Sequence, residues 1–108
     1  MKRDFVETKG FSGDWKAMGQ TDDEMRALQN YLAEYPSSGP MIDGAGGARK
    51  LRWGKEGQNS GKSSGVRVIY WDDSKDGTLY LLAVFGKNEK TNLSEAEKKA
   101  MKAFIKNL

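Results

Sequence analysis

The sequence predicts an α+β fold, an antiparallel sheet with two helical segments toward the N-terminus and one C-terminal helix packed on it. Three observations carry this reading. Residues 48–53, 65–71 and 78–85 are strand-like runs that follow one another across turn-like connections, GKEGQNSGKSSG and DDSKDG. The last run, TLYLLAVF, is apolar at nearly every position, the pattern of a central strand covered on both faces. Two amphipathic segments, each opened by a capping box, supply the cover.

Taken in order, RDFVET (residues 3–8) is aromatic and β-branched at its centre and stops near Gly10, which predicts a first strand. FSGDWKAMG then reads as a short helix turning Phe11, Trp15 and Met18 toward the core. In TDDEMRALQNYLAEYP, Thr21 caps a helix with Glu24 reaching back. Met25, Leu28, Leu32 and Tyr35 recur at helical spacing until Pro36 ends it. PSSGPMIDGAGGA is a loop dense in Gly and Pro, and the three strands follow it as a meander. In SEAEKKAMKAFIKNL, Ser94 and Glu97 form the second capping box, and Ala100, Met101, Phe104, Ile105 and Leu108 make a helical stripe.

A chain of 108 residues is long enough for one hydrophobic core and too short for two, so residues 1–108 are expected to form a single domain. No apolar stretch approaches the roughly 20 residues of a membrane span, and Met1 to Asp4 lack the apolar run of a signal peptide. A cytoplasmic protein with no membrane partner is expected. There is no Cys and no His, which removes thiolate chemistry, Cys-type zinc sites and the commonest general base. Asp22, Asp23 and Glu24 sit at a helix start and Asp72 and Asp73 in a turn, with no spacing that suggests a paired metal site. Any chemistry therefore falls to Lys, Arg, carboxylates, Tyr or hydroxyls, with neither metal nor cofactor expected.

The net charge of +3 is unevenly placed. Residues 1–48 carry five cations and eight anions, residues 49–71 six and one, and residues 86–108 six and three. The basic middle is the electrostatic footprint of a site for a polyanion such as nucleic acid, although a solvated basic face would look the same. Strand alternation sends Lys50 and Arg52 to one face and Leu51 and Trp53 to the other. On the next strand Val66, Val68 and Tyr70 form the apolar parity, and Arg67 lies with Ile69 and Trp71. Should the second parity face a groove, Lys50, Arg52 and Arg67 converge on adjacent strands with Lys87 beyond the end of the last one. That is an arrangement suited to a phosphodiester. The plain alternative is packing, with the cations on a solvated sheet face and Trp53, Tyr70 and Trp71 as core. DGAGGARK lacks the spacing of a phosphate loop and reads as a turn into a strand. The connection around Lys55 and Lys62 reads as a hairpin loop able to touch RNA.

GAGGARKLR, GKSSGVRVIY and LYLLAVFGKNEKTNLSEAE, in this order and on these strands, resemble the HigB branch of the RelE/HigB superfamily, the toxins of type II toxin-antitoxin systems. The likeness covers residues 41–108 well and the first 40 loosely; GKNE followed by Leu and a capped helix is its most specific piece. The resemblance implies a microbial-RNase-like fold and metal-independent, ribosome-dependent endonucleolytic cleavage of mRNA. It also implies neutralisation by a cognate antitoxin, often one with a helix-turn-helix DNA-binding domain. By position it assigns catalysis to Lys50, Arg52, Arg67 and Lys87, and it places Asn88 beside Lys87 in the family's basic pair. The residue types around them add Arg49, Lys55, Lys62, Tyr70, Trp71, Asn88 and Lys90 as candidates for RNA contact. RelE itself has a Tyr at the start of the last helix, where this chain has Ser94. That role is vacant or falls to Tyr70, Trp71 or Phe85.

A ribonuclease without histidine can cleave by directing the 2′-OH of its substrate onto the adjacent phosphate. Like charge lowers the pKa of a lysine set among arginines, so Lys50 is the candidate base and Arg52 and Arg67 the stabilisers of the phosphorane. The competing expectation is a RelE-like module that binds RNA or protein without cutting, and the missing Tyr is its best support.

Overall fold

Among the described residues, five strands and three helices follow in the order β1 (Asp4–Glu7), α1 (Phe11–Ala17), α2 (Asp22–Glu34), β2 (Arg49–Gly54), β3 (Gly57–Gln58), β4 (Val66–Asp73), β5 (Thr78–Gly86) and α3 (Glu95–Lys106). The structure is a computed structural model that describes residues 3–54, 65–86 and 92–108, and 57–58 as backbone only. The strands form one sheet in the order β1-β5-β4-β2-β3. The meander holds: β2 pairs antiparallel with β4, and β4 with β5. β1 joins the far side of β5 in parallel, Asp4 opposite Thr78 and Glu7 opposite Leu81. The near-continuous apolar run of β5 thus lies inside the sheet, and β4 occupies the middle position.

Two apolar layers sit on opposite faces of the sheet. On one, Leu51, Trp53, Val66, Val68, Tyr70 and Leu81 pack against Phe11 and Trp15 of α1 and Leu28 and Leu32 of α2. On the other, Ile69 and Phe85 pack with Ala45, Ala48, Leu93, Met101 and Ile105, the last two from α3. Both faces are therefore covered, as the composition of β5 requires. A register shift between Ile69 and Tyr70 pairs Ile69 with Ala83 and Tyr70 with Leu81, leaving Leu82 as the extra residue. Leu82 and Ala83, although consecutive, both pack with the α3 layer.

Both predicted capping boxes are formed. Thr21 accepts from the Glu24 amide at 3.1 Å while Glu24 accepts from the Thr21 amide at 2.8 Å, and Ser94 and Glu97 repeat the pattern. The helical stripes are less completely covered than their spacing suggests. Leu28, Leu32 and Ile105 are buried, whereas Tyr35, Phe104 and Leu108 remain exposed. The glycine-rich loop at 44–47 does more than turn the chain. Gly46, at φ 73°, lies so close to α3 that a Cβ there would sit 3.0 Å from Lys102 Cα. A Cβ on Gly47 would meet Trp71 Nε1 at 3.1 Å. The loop is thus the surface on which α3 rests.

Candidate active site

The pairing of β2 with β4 decides where the cations go. Arg52 lies directly opposite Arg67, and Arg67 in turn lies opposite Phe85 on β5. One step along the same face, Lys50 is opposite Ile69. Directly paired residues in an antiparallel sheet share a face with Cα atoms about 4.5–5.5 Å apart, so Lys50, Arg52 and Arg67 occupy adjoining positions on the α3 side. Arg52 is exposed, Lys50 half-buried and Arg67 only 7% exposed. Arg67 Nη1 is buried without a hydrogen-bond partner among the described residues. A guanidinium held this way has surrendered water and gained nothing at one of its nitrogens, so an anion arriving there meets a donor already desolvated.

Lys50 Nζ donates to Asn92 Oδ1 at 2.9 Å. Its pKa is lowered from the ordinary 10.5, first by burial and then by the like charges of Arg67 and Arg52. Asn92, just ahead of α3, carries no motif that marks it in the sequence. Only the docking of Leu93 beneath it, 8% exposed, brings it over β2.

Other residues nominated by the sequence are placed differently. Tyr70 is fully buried on the opposite face of the sheet, its hydroxyl donating to Pro36 O at 2.8 Å and accepting from Gly39 N at 3.0 Å. Tyr70 is therefore a structural tether and not an RNA contact, because both its ring and its hydroxyl are spoken for. Arg49, half-buried, ties down the same loop. Its parity is that of Tyr70, and its Nη1 donates to Gly39 O at 2.8 Å and to Ser37 O at 3.3 Å. Trp71 stacks on Tyr80 with ring centroids 5.7 Å apart beneath Gly47, which makes it a support for the glycine loop. Ser94 is committed as the cap of α3. Lys55, Lys62, Lys87, Asn88 and Lys90 lie outside the described residues.

A cleft of about 330 Å³ opens beside Lys50, between residues 40–43 and the start of α3, with Asn92, Leu93 and Lys98 on its far side. It joins the cationic face through Lys50, which lines both.

The same arrangement of elements is found among solved structures. One is the intact toxin-antitoxin complex RelBE of E. coli, matched at a TM-score of 0.60 and 15% identity over 79% of this chain and 96% of that one. The chain has the RelE fold. A second RelE-fold structure, free E. coli toxin RelE with two arginines replaced by alanine, matches over 100% of both chains at a TM-score of 0.56 and 16% identity. No family model matches the sequence. Within the RelE fold of this chain, the cationic face belongs to the middle of the sheet, where strand pairing fixes it, and the adjoining cleft to its α3 side.

Proposed function

We propose that the protein is the toxin of a type II toxin-antitoxin pair and acts as a metal-independent, ribosome-dependent mRNA endonuclease. The observation that carries this reading is Arg67: a nearly buried guanidinium with one nitrogen unpartnered among the described residues, faced by Arg52 and adjoined by a lysine whose pKa is lowered. A packing role does not account for three like charges gathered on one sheet face. A scissile phosphate does.

In the reaction, neutral Lys50 takes the proton of the 2′-OH as O2′ bonds to phosphorus. Arg52 and Arg67 donate to the phosphorane oxygens, and the bond from phosphorus to O5′ breaks, leaving a 2′,3′-cyclic phosphate. Lys87, at the position where the resemblance puts a basic residue, assists the departing 5′-oxygen or binds the phosphate. No histidine is needed. The RelE fold of a protein crystallised in a toxin-antitoxin complex supports a cognate antitoxin as partner, and the resemblance favours a helix-turn-helix type.

The test is controlled expression followed by mapping of mRNA ends on purified ribosomes. Wild-type protein is expected to arrest growth and cut mRNA in the ribosomal A site, and Arg67→Ala to be folded and inactive. Full toxicity of a folded Arg67→Ala protein would overturn the assignment. Ribosome association without any cut would replace the nuclease with an RNA-binding module.

A further inference from the structure

Beside Lys50 the cleft has two fixed walls. Residues 40–42 run along the outer edge of β2, with Lys50 N donating to Pro40 O at 3.0 Å and Ile42 N to Ala48 O at 2.9 Å. Behind them Arg49 and Tyr70 tether residues 36–39. The opposite wall is Leu93, anchored in the core, with Ser94 capping α3 next to it. This framework holds Met41 at the mouth, 62% exposed although the main chain on both sides of it is bonded to β2. A large apolar side chain kept in water by a rigid backbone is poised to meet an apolar face. The polar groups lie at the rim. Asp43 is exposed, and Asn92 spends its oxygen on Lys50, which leaves its amide NH₂ for another acceptor. Lys50 and Lys98 supply the positive charge, the latter 3.4 Å from Glu95.

We propose that this cleft seats a single unstacked nucleoside of the RNA, the one adjoining the bond cleaved, with its base against Pro40 and Met41 and its polar edge toward Asp43 and Asn92. The inference rests on the proposed function for the identity of the larger ligand. Its own basis is the composition of the cleft. An apolar wall has no use in a site for phosphate alone, and a volume of about 330 Å³ is at the small end of the roughly 300–1,000 Å³ of small-ligand sites, enough for one nucleoside. RNA is read mostly through splayed bases presented one at a time, held by stacking and by hydrogen bonds to their edges. A preformed cleft lowers the ordering cost of such capture. The residue at this subsite then selects which base stands next to the cut.

Titration of the full-length protein with AMP, GMP, CMP and UMP, and in parallel with ribose 5-phosphate, tests this by backbone-amide chemical shifts. At least one nucleotide is expected to shift the amides of 41–43 and 92–93 at a concentration where ribose 5-phosphate does not. Met41→Ser should weaken that nucleotide about fivefold, the size of one thioether-aromatic contact, and redistribute the bases found beside cut sites in the ribosome assay. Shifts identical for nucleotides and ribose 5-phosphate, or confined to residues 52 and 67, would overturn the subsite. The titration needs no cleavage, so an inactive protein that still binds nucleotide at 41–43 would refute the nuclease and leave the subsite standing.

Discussion

Arg67 carries its charge into a place that removes water without a partner for Nη1 among the described residues, and it does so opposite a second arginine. Such a residue lowers the stability of the free protein. Replacing it with a well-packed apolar side chain of similar length relieves both the desolvation and the repulsion. Arg67→Met is therefore expected to raise stability by about 1 kcal/mol, a few degrees in melting temperature, while cleavage falls by about 10² to 10³. Thermal unfolding and the ribosome assay on one preparation check both halves. Lys50 gives a second, pH-dependent expectation. Its folded pKa lies below 10.5, so the unfolded chain holds more protons between that lowered value and 10.5. The penalty is full below the window and gone above it, so stability rises with pH across it. Cleavage should rise over the same range as the base form accumulates. Urea midpoints of wild-type and Lys50→Met protein at neutral and alkaline pH measure the first effect, and a wild-type gap that fails to narrow as pH rises would contradict it. That Lys50 and Arg52 share a face is legible from alternation, whereas Arg67 joins them only through the register of β2 with β4, which alternation does not fix. The tether roles of Arg49 and Tyr70 are not legible either, because both depend on main-chain groups at 36–39 that approach only when the loop closes.

Each helix illustrates what local sequence can and cannot specify. The two capping boxes are written in four-residue patterns and form as read, so Thr21→Ala and Ser94→Ala should each cost about 1 kcal/mol of stability in urea unfolding. They should part company in function. Ser94 adjoins Leu93 in the wall of the cleft and Thr21 is remote from it, so only Ser94→Ala is expected to weaken nucleotide binding as well. The glycine loop separates conformational from contact effects in the same way. Gly44 and Gly46 both have positive φ, at 79° and 73°, but a Cβ on Gly44 meets nothing within 4 Å whereas one on Gly46 strikes the backbone of α3. Gly44→Ala should cost about 1 kcal/mol from backbone strain alone, and Gly46→Ala more, with α3 displaced; equal melting temperatures for the two would contradict this packing. The sequence shows a glycine-rich turn and no more, since the helix it supports, Glu95–Lys106, is distant along the chain. The bulge at Leu82 is hidden for a related reason. TLYLLAVF is apolar on both parities, and a strand with no polar face gives no sign of where its register slips.

One ion pair spans 69 positions of the sequence. Arg3, beside β1, meets Asp72 of β4 at 2.8 Å through Nε and 3.1 Å through Nη2, with both side chains largely buried. Removing one partner leaves the other buried and unpaired, which costs about 3 kcal/mol. Arg3→Met should lose that much in urea unfolding, and Arg3→Met with Asp72→Leu should regain most of it. The pair also fixes the placement of β1, which no periodicity reveals: a short strand states its faces but not its neighbour. Its neighbour is distant. Asp4 pairs with Thr78, 74 positions later, whereas β4 and β5 are joined directly by the turn at 74–77. During synthesis the first strand leaves the ribosome well before its partner has been made, and local hairpins close ahead of such long-range parallel pairing. A transcript broken before the codons for β5 yields a polypeptide whose opening strand has nowhere to dock and whose middle strand is bare along one side, a ready substrate for proteases.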